Sequence, residues 1–145
     1  VVGAEVVATA FHPEDGLRLP GPRDAEGYLI AGVVTMWLGL LLRLWAILVL
    51  GRAFRTTVEV DAGQQVTRHG PYRWVRHPSY TGLLLLAVGS GLAWDNWISL
   101  VLTLVLPVLA LAWRISVEER VLVEVLGPPY ESYRARTKRL LPGLW

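Results

Sequence analysis

No cysteine occurs among the 145 residues, which removes disulfides, thiolate metal sites and cysteine nucleophiles together and leaves the redox compartment open. The three histidines, His12, His69 and His77, cannot rebuild a zinc site alone, so no metal is expected. Charge is scarce as well: 18% of residues are charged against 53% hydrophobic, with a mean hydropathy of +0.42. That apolar share exceeds the ~45–50% of ordinary soluble domains and argues against a freely soluble globule. A pI near 9.3 raises nucleic acid as a partner, yet the net charge is only +2 and the basic residues follow another pattern, so none is expected. The apolar run Val1 to Phe11 is shorter than a signal peptide and lacks a basic start. It reads as the trimmed remainder of something longer or as a short interfacial piece.

What is present is a set of long apolar blocks separated by arginine-rich segments. Tyr28 to Leu50 holds 23 positions with a single charge, Arg43. A helix of that length covers ~34 Å, enough for a ~30 Å hydrocarbon core. Arg43 lies seven residues from the end of the run, and the simpler expectation is that its guanidinium snorkels to the headgroups, with an inward turn as the alternative. From Ser79 to Trp113 there are 35 residues with one charge, Asp95, too long for one span by ~20 Å. The run therefore folds back, and Trp94-Asp95-Asn96-Trp97 supplies the turn between two interfacial tryptophans. Each arm is somewhat short, Pro107 is expected to bend the second, and Gly82, Gly89, Ser90 and Gly91 give the first a small-residue face for close helix contact. The spans are thus 28–50, 79–94 and 97–113.

Orientation follows from charge. Residues 51–78 carry Arg52, Arg55, Arg68, Arg73 and Arg76, and residues 114–145 carry five arginines and Lys138, while the turn at 94–97 carries no basic residue. Both basic segments belong in the cytoplasm, where they also meet acidic membrane lipid, and one crossing plus a hairpin brings the chain back to that face. The whole chain, 1–145, reads as one multi-pass integral-membrane domain: an all-α bundle, with a small β-hairpin expected across 56–67, where Thr56 to Val60 alternates and Asp61-Ala62-Gly63 turns. Arg114 to Leu126 continues as a helix that Gly127-Pro128-Pro129 stops.

Two polar clusters fall at the cytoplasmic mouth of the hairpin, Gly70 to Tyr80 before it and Arg114 to Glu119 after it. Anchoring to a bilayer needs tryptophans and arginines, but not a histidine, two prolines and paired glutamates. Arg114 and Glu118 are four apart and share a helix face, either as an intrahelical ion pair or as paired functional groups. Glu119 pairs with Arg76 or Arg73, or faces water. Tyr130 and Tyr133 are expected to pack the C-terminal segment against the mouth.

The ordered set Gly70-Pro71-Tyr72, Arg76-His77-Pro78-x-Tyr80-x-Gly82, Arg114-x-x-x-Glu118-Glu119-x-x-Leu122, Gly127-x-x-Tyr130-x-x-Tyr133 and Arg139-Leu140-Leu141-Pro142 resembles the isoprenylcysteine carboxyl methyltransferase family, much of it shared with the phospholipid methyltransferases. The resemblance covers roughly the last 95 residues; it departs at Leu126, where the family has phenylalanine. It implies an integral-membrane enzyme that transfers a methyl group from S-adenosylmethionine, releases S-adenosylhomocysteine, and holds the cofactor in a cytoplasm-facing pocket closed by the C-terminal helix. It places the cofactor site on Gln64, Gln65, Val66 and Thr67, on Tyr72, His77, Pro78, Ser79 and Tyr80, and on Glu118. Arg114 falls on the arginine used for substrate binding and catalysis, and further N-terminal membrane helices are usual. The residues are compatible with that reading, since the cofactor needs an aromatic slot, a carboxylate for its hydroxyls or ammonium, and donors for its own carboxylate. Arg114 favours an anionic acceptor, a lipophilic small molecule or lipidated substrate bearing a carboxylate, because an arginine repels an ammonium. A phospholipid N-methyltransferase and a non-enzymatic lipid-binding anchor are the competing readings. A soluble Rossmann methyltransferase is disfavoured because no glycine-rich strand-to-helix turn is present.

Overall fold

The computed structural model describes Leu19, residues 25–51 and residues 66–142. Four α-helices and one 3₁₀ turn follow in order: α1, Ala25–Leu50; the 3₁₀ turn, Gly70–Arg73; α2, Pro78–Ala93; α3, Trp97–Leu126; and α4, Pro128–Arg136. α1 covers residues 28–50 as one helix, and α2 and α3 form the expected back-folded hairpin. Proline at the first position of α2 and of α4 starts each helix where its missing N–H costs nothing.

The turn between α2 and α3 uses its residues as the sequence suggests. Asp95 adopts φ +49°, and the buried Asn96 caps α3, its Oδ1 accepting from the Ile98 N–H at 2.7 Å and the Ser99 N–H at 3.4 Å. α3 runs 30 residues through Pro107 without interruption, so the second arm and the cytoplasmic helix are one element. Gly127, at φ +58°, ends it.

α1 and α2 pack antiparallel through glycines spaced seven apart on both. A Cβ on Gly32 would sit 2.5 Å from the Gly89 carbonyl oxygen, and one on Gly39 would sit 2.7 Å from that of Gly82. The small-residue face is therefore met by a matching one on α1, and the backbones touch. α1 and α3 are each long and apolar enough to cross a membrane, with a mean hydropathy of 2.2 in their most apolar stretches, yet only 11% and 17% of those stretches are buried. Helices of a soluble core would hide these side chains; here Trp37, Leu48, Leu109 and Trp113 are exposed, as lipid-facing residues are.

Two expectations change. Arg43 does not snorkel: its Nη1 donates to Ser79 Oγ at 2.9 Å and to the Ser79 carbonyl at 3.3 Å, because the neighbouring Gly82 leaves room for the arginine to lie across α2. The β-hairpin of 56–67 falls mostly outside the described residues; of its second strand, Val66 and Thr67 are irregular. The bridge seen among the described residues instead joins Val75 to Lys138 in parallel, so the loop before α2 pairs with the C-terminal segment.

Candidate active site

The site forms where three stretches meet: the start of α2, the second half of α3, and the segment from α4 to Pro142. Ser99, Leu111, Ile115 and Glu119 are the buried residues of α3, spaced by multiples of four along one stripe. Leu111 and Ile115 pack with Leu140 of the C-terminal segment and with Tyr80, Leu83 and Leu84 of α2. That small core sets Tyr80 against the next turn of α3. Its hydroxyl donates to Glu118 Oε2 at 2.7 Å and accepts from Arg114 Nε at 2.7 Å. Arg114 and Glu118 are thus linked through a phenol from another helix rather than simply to each other. The His77 ring stacks on Tyr80, 5.5 Å between centroids and 14° between planes.

Glu119, one residue on, points along the buried stripe into a cationic cage. Its Oε1 accepts from Arg76 Nε at 2.7 Å and lies 3.3 Å from His77 Nε2; its Oε2 accepts from Arg139 Nε at 3.2 Å. It lies beyond the apolar stretch 97–113. Burial works to raise its pKa, but hydrogen bonds from His77 and Arg76 and their charge outweigh that and bring it down to about 2. Of the three options open in the sequence, pairing with Arg76 is realised.

The C-terminal segment is sewn to the mouth by backbone and side chain. The N–H groups of Arg76 and His77 donate to the carbonyls of Lys138 and Arg139 at 2.8 and 3.0 Å. Thr81 Oγ1 donates to the Leu140 carbonyl at 2.7 Å, and Arg76 Nη1 donates to the carbonyls of Arg134 and Thr137. Tyr133, buried, donates to the Tyr72 carbonyl at 2.6 Å. Burial pushes its phenol up to about 12, so it stays a donor. Tyr133 therefore packs the segment as expected. Tyr130 is buried too, but its hydroxyl has no hydrogen-bond partner among the described residues.

Of the candidate cofactor residues, the structure gathers Tyr80, His77 and Glu118 with Arg114. The Tyr72 hydroxyl donates to the Ala46 carbonyl of α1 at 3.4 Å while lying within electrostatic reach of Glu118 and Tyr80, and Ser79 holds Arg43. Pro78 is buried at the first position of α2. Val66 and Thr67 lie in the loop leading to the 3₁₀ turn, and Gln64 and Gln65 lie outside the described residues. Sequence reasoning gave no role to Arg139 or to the Tyr130 hydroxyl. Both residues stand in the motifs quoted above, but neither motif says that the arginine meets Glu119 or that the tyrosine's oxygen, as well as its ring, is buried.

The family model described as phospholipid methyltransferase matches residues 28–128, which span α1, α2, α3 and the polar mouth between them. The chain belongs to the phospholipid methyltransferase family. Within that family it is similar to a probable protein-S-isoprenylcysteine O-methyltransferase of Oryza sativa subsp. indica, 29% identical over 143 residues, 94% of this chain and 75% of the rice protein. Protein-S-isoprenylcysteine O-methyltransferase B of Arabidopsis thaliana is 32% identical over 113 residues, 77% of this chain and 57% of that protein. Among solved structures, the eukaryotic intramembrane Ras methyltransferase ICMT superposes with a TM-score of 0.75 at 28% identity, covering 79% of this chain and 42% of that one. The chain spans less than half of that solved protein. The fold is that of a membrane methyltransferase, all-helical among the described residues.

Proposed function

We propose that this protein transfers a methyl group from S-adenosylmethionine to a carboxylate on a lipophilic acceptor, with the site at the mouth of the α2–α3 hairpin. The observation that carries the proposal is the Tyr80 hydroxyl bridging Arg114 and Glu118, which sets a cation and an anion side by side at the end of the apolar spans. The residues fit the cofactor. Tyr80 and His77 offer stacked aromatic faces, and Glu118 a carboxylate for hydroxyls or an ammonium. When bound, the cofactor supplies an electrophilic methyl on a sulfonium.

The protein's own work is then alignment and exclusion of water. A carboxylate acceptor is already ionised near neutral pH, so no general base is needed. Arg114 holds the anion in place, and Tyr80, gripping Arg114 at 2.7 Å, fixes the guanidinium's position. The C-terminal segment, pinned through Glu119, Thr81 and Tyr133, covers the site and lowers the local dielectric. The relatives named as acting on isoprenylcysteine support a lipidated carboxyl as acceptor. An amine headgroup would meet an unfavourable charge at Arg114. Charge bias places this mouth, with residues 66–78 and 114–142, on the cytoplasmic side of a multi-pass chain.

Purified protein in nanodiscs is expected to bind S-adenosylhomocysteine saturably. Arg114→Ala is expected to lower turnover by about 100-fold with affinity for that product within a few-fold, the size seen when one charge-stabilising donor is lost. Glu118→Ala is expected to weaken the product's binding instead. Absence of saturable binding by the wild type would exclude the enzyme, and methylation of phosphatidylethanolamine in preference to a carboxylate would favour the N-methyltransferase.

A further inference from the structure

The Tyr130 hydroxyl is the unexplained polar group of the mouth. Its residue is 3% exposed, it sits in the first turn of α4, and its oxygen finds no hydrogen-bond partner among the described residues. Leaving a buried hydroxyl unpaired destabilises the fold, so a phenylalanine at this position would make a more stable free protein. The neighbouring tyrosine shows the contrast: Tyr133, 6.0 Å away between ring centroids, uses its hydroxyl to hold the Tyr72 carbonyl. Packing of α4 therefore needs the Tyr130 ring and has no use for its oxygen. The phenol lies between the Glu119–Arg76 cage and the site, within electrostatic reach of Glu119, Arg76 and Tyr133 and also of Glu118. Burial holds it well above its ordinary pKa, so it is a neutral hydroxyl able both to donate and to accept.

We propose that Tyr130 is a ligand-binding residue, its hydroxyl completed by a hydrogen bond to a polar group of the bound S-adenosyl ligand. The inference rests on the methyltransferase reading above. It assigns the C-terminal helix a direct hold on the ligand in addition to covering it. The hydroxyl's lack of a partner among the described residues is then a cost retained for binding.

Tyr130→Phe tests it by removing one oxygen and nothing else. The unliganded variant is expected to melt at or above the wild-type temperature in the same nanodiscs, because no native hydrogen bond is lost. Its affinity for S-adenosylhomocysteine, by calorimetry, is expected to fall about 5- to 30-fold, the loss that accompanies one hydrogen bond of this kind. 5′-Methylthioadenosine, which lacks the amino-acid tail, locates the contact. A matching loss with this probe places the hydroxyl on the nucleoside, and a loss confined to S-adenosylhomocysteine places it on the amino-acid end; either supports the proposal. Unchanged affinity for both would overturn it, as would a clear fall in the unliganded melting temperature, which would mean that the hydroxyl holds the fold. A wild-type protein that binds neither compound would instead overturn the methyltransferase reading itself.

Discussion

Glu118 and Glu119 are adjacent in the chain and do different work because a helix turns 100° per residue. Glu119 falls on the buried stripe with Leu111 and Ile115 and is caged by Arg76, His77 and Arg139; Glu118 faces Tyr80 and the site. The cage has a pH signature. The folded carboxyl sits near 2 against an ordinary 4.5, so its stabilisation, on the order of 3 kcal/mol, is fully present above about pH 5 and is lost as pH falls toward 2. Glu119→Gln is therefore expected to melt well below the wild type at pH 7, with the gap narrowing as pH is lowered to 3, since only the wild type has that charge to lose. A constant gap across this range would show that the charge is not what matters. Spacing and resemblance singled out Arg114, Glu118 and Tyr80 as candidates. That a single phenol joins the two ions was not, because Tyr80 lies 34 residues from Arg114 and only the folded hairpin closes that separation.

Among the elements, α1 and α2 depend on a contact that tolerates no side chain. Gly32 and Gly39 lie against Gly89 and Gly82, and even a methyl group would press on a backbone carbonyl that cannot move aside. Gly39→Ala is expected to lower the melting temperature by several degrees and to loosen α1, whereas Gly27→Ala, with nothing within 4 Å of its added carbon, is expected to leave it unchanged or raise it by improving helix propensity. Equal behaviour of the two variants would contradict the close packing. The small-residue face of α2 was readable in the sequence; its register against α1 was not, since two seven-residue spacings can be aligned in more than one way. The same packing decides Arg43. Taken alone, α1 lets the arginine reach the headgroups, but the passage over Gly82 brings Ser79 within 2.9 Å and turns it inward.

For the molecule as a whole, α1 followed by the α2–α3 hairpin brings residues 66–78 and the C-terminal segment to one end, where Arg76 meets Glu119, which Arg139 also holds. Since the chain has no cysteine, single introduced thiols report sidedness cleanly. Ser132→Cys on the exposed side of α4 is expected to react with an impermeant maleimide from the cytoplasmic face of oriented vesicles, and Trp94→Cys at the exposed turn from the opposite face. Labelling of both from one side would refute the topology. Hydropathy was enough to mark the long apolar helices and the fold-back at Trp94 to Trp97, because burial of apolar side chains acts on local stretches of chain, while the class of chemistry came from the ordered motifs of the mouth. Which residues of the mouth touch one another had to await the folded chain. The Tyr72 hydroxyl and Ser79 met α1, His77 took a carboxylate partner, and the C-terminal segment paired with the loop before α2, each through contacts between residues 26 to 63 positions apart that leave no local trace.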